Sequence, residues 1–151
     1  MIQKEIVDTL EAIAQDWRNG NYSGLKSYWD RTDPQPIYIA EENDKVMTSW
    51  PEVDAYFQGT ENWNEKIDVR YSNYQVKHVD EHHAMATFDL HFDIKLNDRP
   101  NPIGGDNRVV VSFRKADDQW KLYAWVEAPL APITYIRKLY EMNVSKEFSD
   151  G

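Results

Sequence analysis

Asp89, His91 and Asp93 are the residues of this chain whose types and spacing come nearest to chemical machinery. Alternate residues of a strand share a face, so a strand here would aim two carboxylates and an imidazole in one direction. Acids flanking a histidine can relay a proton or hold a metal ion, which makes His91 and Asp93 candidate catalytic residues. The same stretch argues which way that face points. Ala84, Ala86, Phe88, Leu90, Phe92, Ile94 and Leu96 alternate without a miss against Met85, Thr87, Asp89, His91, Asp93 and Lys95. The apolar set must face the core, so the acidic set is expected on the outer, solvated face. A second cluster, His78, His82 and His83 around Asp80-Glu81, has no recognised ligand spacing, and turn histidines are ordinarily solvated. No metal and no cofactor is expected.

Composition sets the frame for these residues. A chain of 151 residues, 41% of them hydrophobic, suits one core, expected over residues 1–145 with a frayed tail at 146–151. Net charge is −9, and no basic cluster exceeds Arg114-Lys115, so the basic groove that nucleic acid requires is missing. There is no cysteine, hence no disulfide framework and no thiolate chemistry. No stretch approaches the roughly 20 apolar residues of a membrane span, and the first residues lack a signal-peptide pattern. A cytoplasmic location is therefore the default expectation.

The elements that must position the chemistry follow from periodicity. Ile2, Ile6, Val7, Leu10, Ile13, Ala14 and Trp17 form one helical stripe, which Gly20 ends. A short second helix carries Leu25, Tyr28 and Trp29 and stops before Asp33-Pro34-Gln35-Pro36. Pro36–Ala40 reads as a short strand. Ser49-Trp50-Pro51-Glu52 is a capping box with proline in the first turn of a third helix bearing Val53, Tyr56 and Phe57. Strands follow over 67–78, with a bulge where Tyr71 and Tyr74 break alternation, then 84–96, 108–115 and 120–127. Asn97–Asn107, rich in Pro and Gly, reads as a loop. Pro129 and Pro132 end the sheet, and Ile133, Ile136, Leu139 and Tyr140 predict a fourth helix.

Short helices followed by a run of strands imply a sheet wrapped over a helical layer. Trp17-Arg18-Asn19-Gly20-Asn21, the segments 25–30 and 49–57, and the hairpin Lys115-Ala116-Asp117-Asp118-Gln119-Trp120-Lys121-Leu122 together resemble the nuclear transport factor 2-like superfamily and, within it, the SnoaL-like proteins. Asn21 stands where that family usually has Asp, and the hairpin turn lacks the usual glycine. The resemblance covers roughly residues 2 to 130. It implies an α+β cone-shaped barrel, with N-terminal helices packed on a curved, mostly antiparallel sheet and here an added C-terminal helix. The concave face of such a sheet encloses a conical pocket. Family members include isomerases, dehydratases, polyketide cyclases, epoxide hydrolases and binding or assembly domains, so the fold alone fixes no function.

Set beside the similar ketosteroid isomerases, this chain has Ile13 in place of their oxyanion tyrosine, Ile37 or Tyr38 in place of their base, and Val110 or Val111 in place of their protonated acid. All three groups are missing. Within the implied cone, Tyr28, Tyr38, Tyr56, Trp63, Tyr71, Phe88 and Phe92 are the candidate ligand-binding residues, suited to an apolar or aromatic molecule with one or two polar groups. Phe57, Trp17, Trp29 and Trp120 read as core. The expected function is small-molecule binding. One alternative is a cofactor-independent isomerase, polyketide cyclase or dehydratase, with Glu41, Glu42 or Glu127 as base and Tyr38 or Tyr56 as donor. The other is a homo-oligomeric assembly domain with a filled cone. Alternation along 120–127 puts Trp120, Leu122, Ala124 and Val126 inward, so Tyr123 and Trp125 are expected outside, at a sheet-to-sheet homodimer interface. Arg108 and Arg114 are expected to pair with Asp89 and Asp93. Neither nucleic acid nor membrane is an expected partner.

Overall fold

The computed structural model describes residues 1–130 and 133–149, the side chains of 133–136 and 149 excepted. Helix α1, Ile2–Asn19, buries Ile6, Leu10, Ile13 and Ala14. It ends on Gly20, whose φ of 72° lies in the left-handed region that glycine occupies without strain. The N–H of Gly20 donates to Trp17 O and that of Asn21 to Asp16 O, a Schellman closure that satisfies two orphan carbonyls. The expected second helix is a 3-10 turn, Tyr22–Tyr28. It stops because Trp29 and Asp30 join the sheet edge: Trp29 bridges to Leu122, and the Asp30 N–H donates to Leu122 O at 2.8 Å. Helix α2, Trp50–Gly59, starts at Ser49 as expected; the Ser49 hydroxyl donates to Glu52 at 2.7 Å and accepts from its backbone N–H at 3.4 Å.

Five strands form one curved sheet in the order β1-β5-β4-β3-β2. They are β1 Ile37–Ile39, β2 Asn64–Asp80, β3 His83–Leu96, β4 Ile103–Ala116 and β5 Gln119–Pro129. β2 to β5 are antiparallel hairpin partners, while β1 runs parallel to β5 with Tyr38 opposite Trp125. Strand β4 starts five residues earlier than its sequence suggests. Gly104 and Gly105 pair with Asp93 and Phe92, and a Cβ at 105 would lie 2.9 Å from the Phe92 ring and push it aside.

Two bulges shape the inner face. The first falls between Ser72 and Gln75, with Asn73 at φ 55°, and lets Tyr71 and Tyr74 both reach the Phe88 ring. The second is on β5, where Phe113 pairs with Leu122 but Ser112 pairs with Ala124, leaving Tyr123 extra. That added residue reverses the alternation downstream: Trp120 and Leu122 face inward, then Trp125 does, at 3% exposure. Trp125 is therefore an inner-face residue, and the expected pairing of Tyr123 with Trp125 on the outside does not form. Arg114 likewise turns from Asp93 toward Asp30 at 3.2 Å and Asp33 at 3.5 Å, while Asp89 accepts from Asn73 at 2.7 Å.

At one end the concave face is filled. Phe113, Val111, Leu122, Ile6, Leu10 and Val53 are essentially inaccessible there. Past the sheet, helix α3 spans Ile133–Met142. Lys146–Ser149, expected as frayed, forms a short helix, α4. The side chains of Ile133 and Ile136, and Pro132 with the last two residues of the tail, lie outside the described residues. No described helix is long and apolar enough to cross a membrane.

Candidate functional site

The other end of the cone is open, enclosing a cavity of about 360 Å³. β2 and β3 give it an apolar side of Ile67, Val69, Leu90, Phe92 and Ile94. The β1–β5 edge gives it a polar side. There Tyr38 and Trp125, in register on adjacent strands, stack with centroids 6.0 Å apart and planes 16° from parallel. Tyr56 of α2 packs 5.2 Å from Tyr38, and Tyr71 of β2 packs 6.3 Å from Trp125.

Glu127 lies two residues beyond Trp125, on the same inner face, because the Tyr123 bulge set that face. Three donors hold its carboxylate. The Glu41 backbone N–H reaches Oε1 at 3.0 Å, the Trp125 indole reaches Oε2 at 2.8 Å, and the Asn107 amide reaches Oε1 at 3.4 Å. Burial nevertheless pushes the Glu127 carboxyl up to about 7, with the charges of Glu42 and Glu41 adding to it and the Glu41 and Trp125 hydrogen bonds opposing it. Glu41 is raised by burial and by Glu42. Tyr38, Tyr56 and Tyr71 are all held well above the ordinary phenol value, mainly by burial. The Tyr56 hydroxyl donates to Glu42 at 2.6 Å. Two buried atoms at this wall have no partner, Tyr71 Oη and Asn107 Oδ1. An unmet buried polar atom costs about 1–3 kcal/mol.

The expected site residues divide cleanly by position. Tyr38, Tyr56, Trp63, Tyr71 and Phe92 line the cavity, as do Glu41, Glu42 and Glu127. Tyr28 does not: it lies on the far side of the first turn, its hydroxyl donating to Asp16 at 2.7 Å. Phe88 lies behind the wall at 2% exposure, packed between Tyr71 and Trp125. His91 and Asp93 are on the outer face, where His91 meets Asp106 at 2.9 Å and Asp93 at 3.2 Å, away from the cavity. Ile13, at the ketosteroid isomerase tyrosine position, packs in the core and not on this cavity. Among the described residues no group of three or more histidine or acidic side chains could hold a metal ion.

Trp17, read as core, also lines the cavity, as do the aliphatic residues of β2 and β3, and two residues of the polar side, Trp125 and Asn107, escaped the sequence reading. Trp125 is hidden by the bulge, which no composition signal marks. Asn107 was legible: carrying the alternation of Val109, Val111 and Phe113 back one step puts it on the inner face, at 2% exposure.

Comparison with known proteins agrees with this fold. No curated protein sequence matches the chain. Among solved structures, a candidate scytalone dehydratase from Novosphingobium aromaticivorans is 11% identical with a TM-score of 0.76, covering 85% of this chain and 83% of the other. A nuclear transport factor 2-like superfamily protein from Salmonella enterica is 16% identical with a TM-score of 0.75, over 87% and 92%. A candidate dehydratase of the nuclear transport factor 2-like family from Streptomyces avermitilis is 17% identical with a TM-score of 0.73, over 86% and 96%. At such identities these likenesses speak for the fold alone. The family model of the SnoaL-like domain matches residues 6–132, and the chain belongs to the SnoaL-like domain family.

Proposed function

We propose that the cone binds one small, mostly apolar or aromatic molecule and that Glu127 engages its polar end. The observation that carries this reading is a carboxylate held by three donors inside an open cavity, with Tyr71 Oη and Asn107 Oδ1 unpartnered beside it. An apolar cavity of this size with a few convergent polar groups is the usual form of a ligand site. Filling the cavity tests it. The neutral solvatochromic dye Prodan is expected to bind the wild type and to fail with Ile94→Trp, whose indole would occupy the apolar side; equal binding by both proteins sinks the reading.

A second reading adds chemistry. A carboxyl held at about 7 beside a buried tyrosine hydroxyl is suited to accept and return a proton near neutrality, the task of an isomerase, cyclase or dehydratase. Glu127 would be the base and Tyr71 or Tyr38 the donor to a developing oxyanion. Two structural relatives carry dehydratase names, which fits this reading. The assembly reading needs a cone closed by side chains, and the open cavity speaks against it. A homodimer through the outer sheet face remains part of the proposal, with Tyr123, Met85 and Val110 as its apolar patch in place of Trp125; light scattering at micromolar concentration returning a monomer would remove it.

A further inference from the structure

We infer that the ligand of this cavity is a cation, a protonated amine on an apolar or aromatic body. The inference rests on the cone being a ligand pocket and names the chemistry of its occupant. The first ground is charge. Glu41, Glu42 and Glu127 line the cavity, and among the described residues no lysine, arginine or histidine does. Elsewhere in the molecule a buried acid comes with its cation: Asp30, 5% exposed, has Arg114 at 3.2 Å. Glu127 has hydrogen-bond donors but no positive charge.

The second ground is the kind of bond left unmade. The donors nearest Glu127 are already used, since the Asn107 amide, the Trp125 indole and the Glu41 N–H all end on its carboxylate, and the Tyr56 hydroxyl ends on Glu42. Among the buried polar atoms of the lining residues, Asn107 Oδ1, which can only accept, and Tyr71 Oη, which can do either, have no partner; both oxygens are closed to solvent, so an occupant meets them only if their side chains shift toward it. An ammonium carries three donors and no acceptor, the complement of that set. A carboxylate or phosphate ligand would bring only acceptors against like charge.

The third ground is the aromatic frame. Tyr56 and Trp63 line the cavity with accessible surface, while Tyr38 and Trp125 are closed at 2% and 3% exposure behind their ring stacks, and the negative faces of accessible rings attract organic cations. The titratable groups facing Glu127 are Glu41 and Glu42 after β1, Tyr38 on β1, Tyr56 on α2 and Tyr71 on β2; Arg18 of α1 spends its guanidinium on Val69 O at 2.7 Å. All of the cavity-facing groups become more negative as pH rises. An arriving ammonium therefore favours ionised Glu127, and its binding releases a proton at neutral pH.

The test is a matched series titrated calorimetrically into the intact protein: naphthylmethylamine, naphthylmethanol and naphthoate. The amine is expected to bind at least about tenfold more tightly than the alcohol, the effect of one charge-assisted bond, with naphthoate weakest. Its advantage should grow from about pH 6 to about pH 8 as Glu127 ionises, and should vanish in Glu127→Gln. An alcohol that binds as well as the amine, or a naphthoate that binds best, overturns the cation and leaves the pocket standing. Failure of all three, with Prodan also failing, overturns both. A Glu127→Gln variant that binds the amine as tightly as wild type removes Glu127 from the site and the inference with it.

Discussion

Strand β5 is two half-strands joined at Tyr123, and each carries a tryptophan whose indole donates to a glutamate. Before the bulge, Trp120 reaches Glu5 at 3.0 Å; after it, Trp125 reaches Glu127 at 2.8 Å. Glu5 is exposed on the first turn of α1, whereas Glu127 is pushed up to about 7 by burial. The first half covers a filled core and sits beside a buried acid, Asp30, that has its own arginine. The second half covers a cavity and holds a buried acid with none. One half is arranged for stability. The other keeps an uncompensated charge and two unmet hydrogen bonds, which is how binding sites commonly depart from the rules the rest of a fold obeys.

The largest effect that could break this contrast is steric. Leu122→Ala opens a hole in the filled half, where Leu122 is 1% exposed, and is expected to lose about 3–5 kcal/mol in urea unfolding. Phe92→Ala, in the cavity wall over Gly105, removes a larger side chain that is already partly accessible and is expected to lose less than about half of that while weakening Prodan binding. Equal losses would mean that the cavity collapses in solution.

Next in size are the two acids, with opposite signs. Asp30 is held below its ordinary value chiefly by the Thr32 hydroxyl and backbone, against burial, with Arg114 adding to the lowering. Its contribution is therefore full above the unfolded value of about 3.8 and is lost as pH falls through the lower folded value. Asp30→Asn is expected to cost about 2 kcal/mol near neutrality, since it leaves Arg114 without its closest charge, and to flatten the acid limb of stability against pH. Glu127 is shifted the other way. With an unfolded value of 4.5 and a folded value of about 7, the folded state disfavours ionisation, so the penalty appears as pH rises past 4.5 and is complete above 7. That shift corresponds to about 3 kcal/mol. Glu127→Gln removes it but cannot accept from both the Glu41 N–H and the Trp125 indole, so a net gain of about 1–2 kcal/mol at slightly alkaline pH is expected. A loss at that pH would show that Glu127 is stabilised as a carboxylate by more than its three donors.

The sequence shows the frame well because the frame obeys simple periods. The α1 stripe, Gly20, the Ser49 cap and the unbroken alternation of β3 each came out where their residues pointed. What it concealed turns on a single residue. An extra Tyr123 in β5 reverses every later side chain, and the stretch expected as a strand over 120–127, with aromatics on both faces, contains no internal mark of that reversal. Glu127 could be named as a candidate acid but not aimed. Tyr28 and Phe88 misled for a different reason: both sit on elements that face the cone, but Tyr28 turns back to Asp16 and Phe88 is covered by Tyr71 and Trp125. Facing a cavity and reaching it are separated by one layer of side chains, which no pattern of hydrophobicity resolves.

The smallest effect sharpens the comparison by setting the cavity acid against the titrating group outside. His91 on the outer face has Asp106 at Nδ1 and Asp93 at Nε2, and its value is raised mainly by the Asp106 hydrogen bond. The imidazolium is favoured in the folded state, so what stability it brings is full below the unfolded value of 6.5 and fades as pH rises through the higher folded one. His91 and its partners are bathed in solvent, which limits the stabilisation to a few tenths of a kcal/mol at most. The two groups thus titrate in neighbouring ranges for unlike reasons, one because of a partner in water and the other because of burial. Salt separates them. Raising ionic strength to about 1 M, where screening acts within about 3 Å, is expected to move the His91 proton resonance titration back toward 6.5 and to leave the Glu127 carboxyl carbon titration nearly in place. Asp106→Asn should reproduce the His91 shift without salt. A Glu127 titration that moves with salt as far as that of His91 would mean its value comes from Glu41 and Glu42 acting through water, and the cavity wall would then be no different in kind from the outer face.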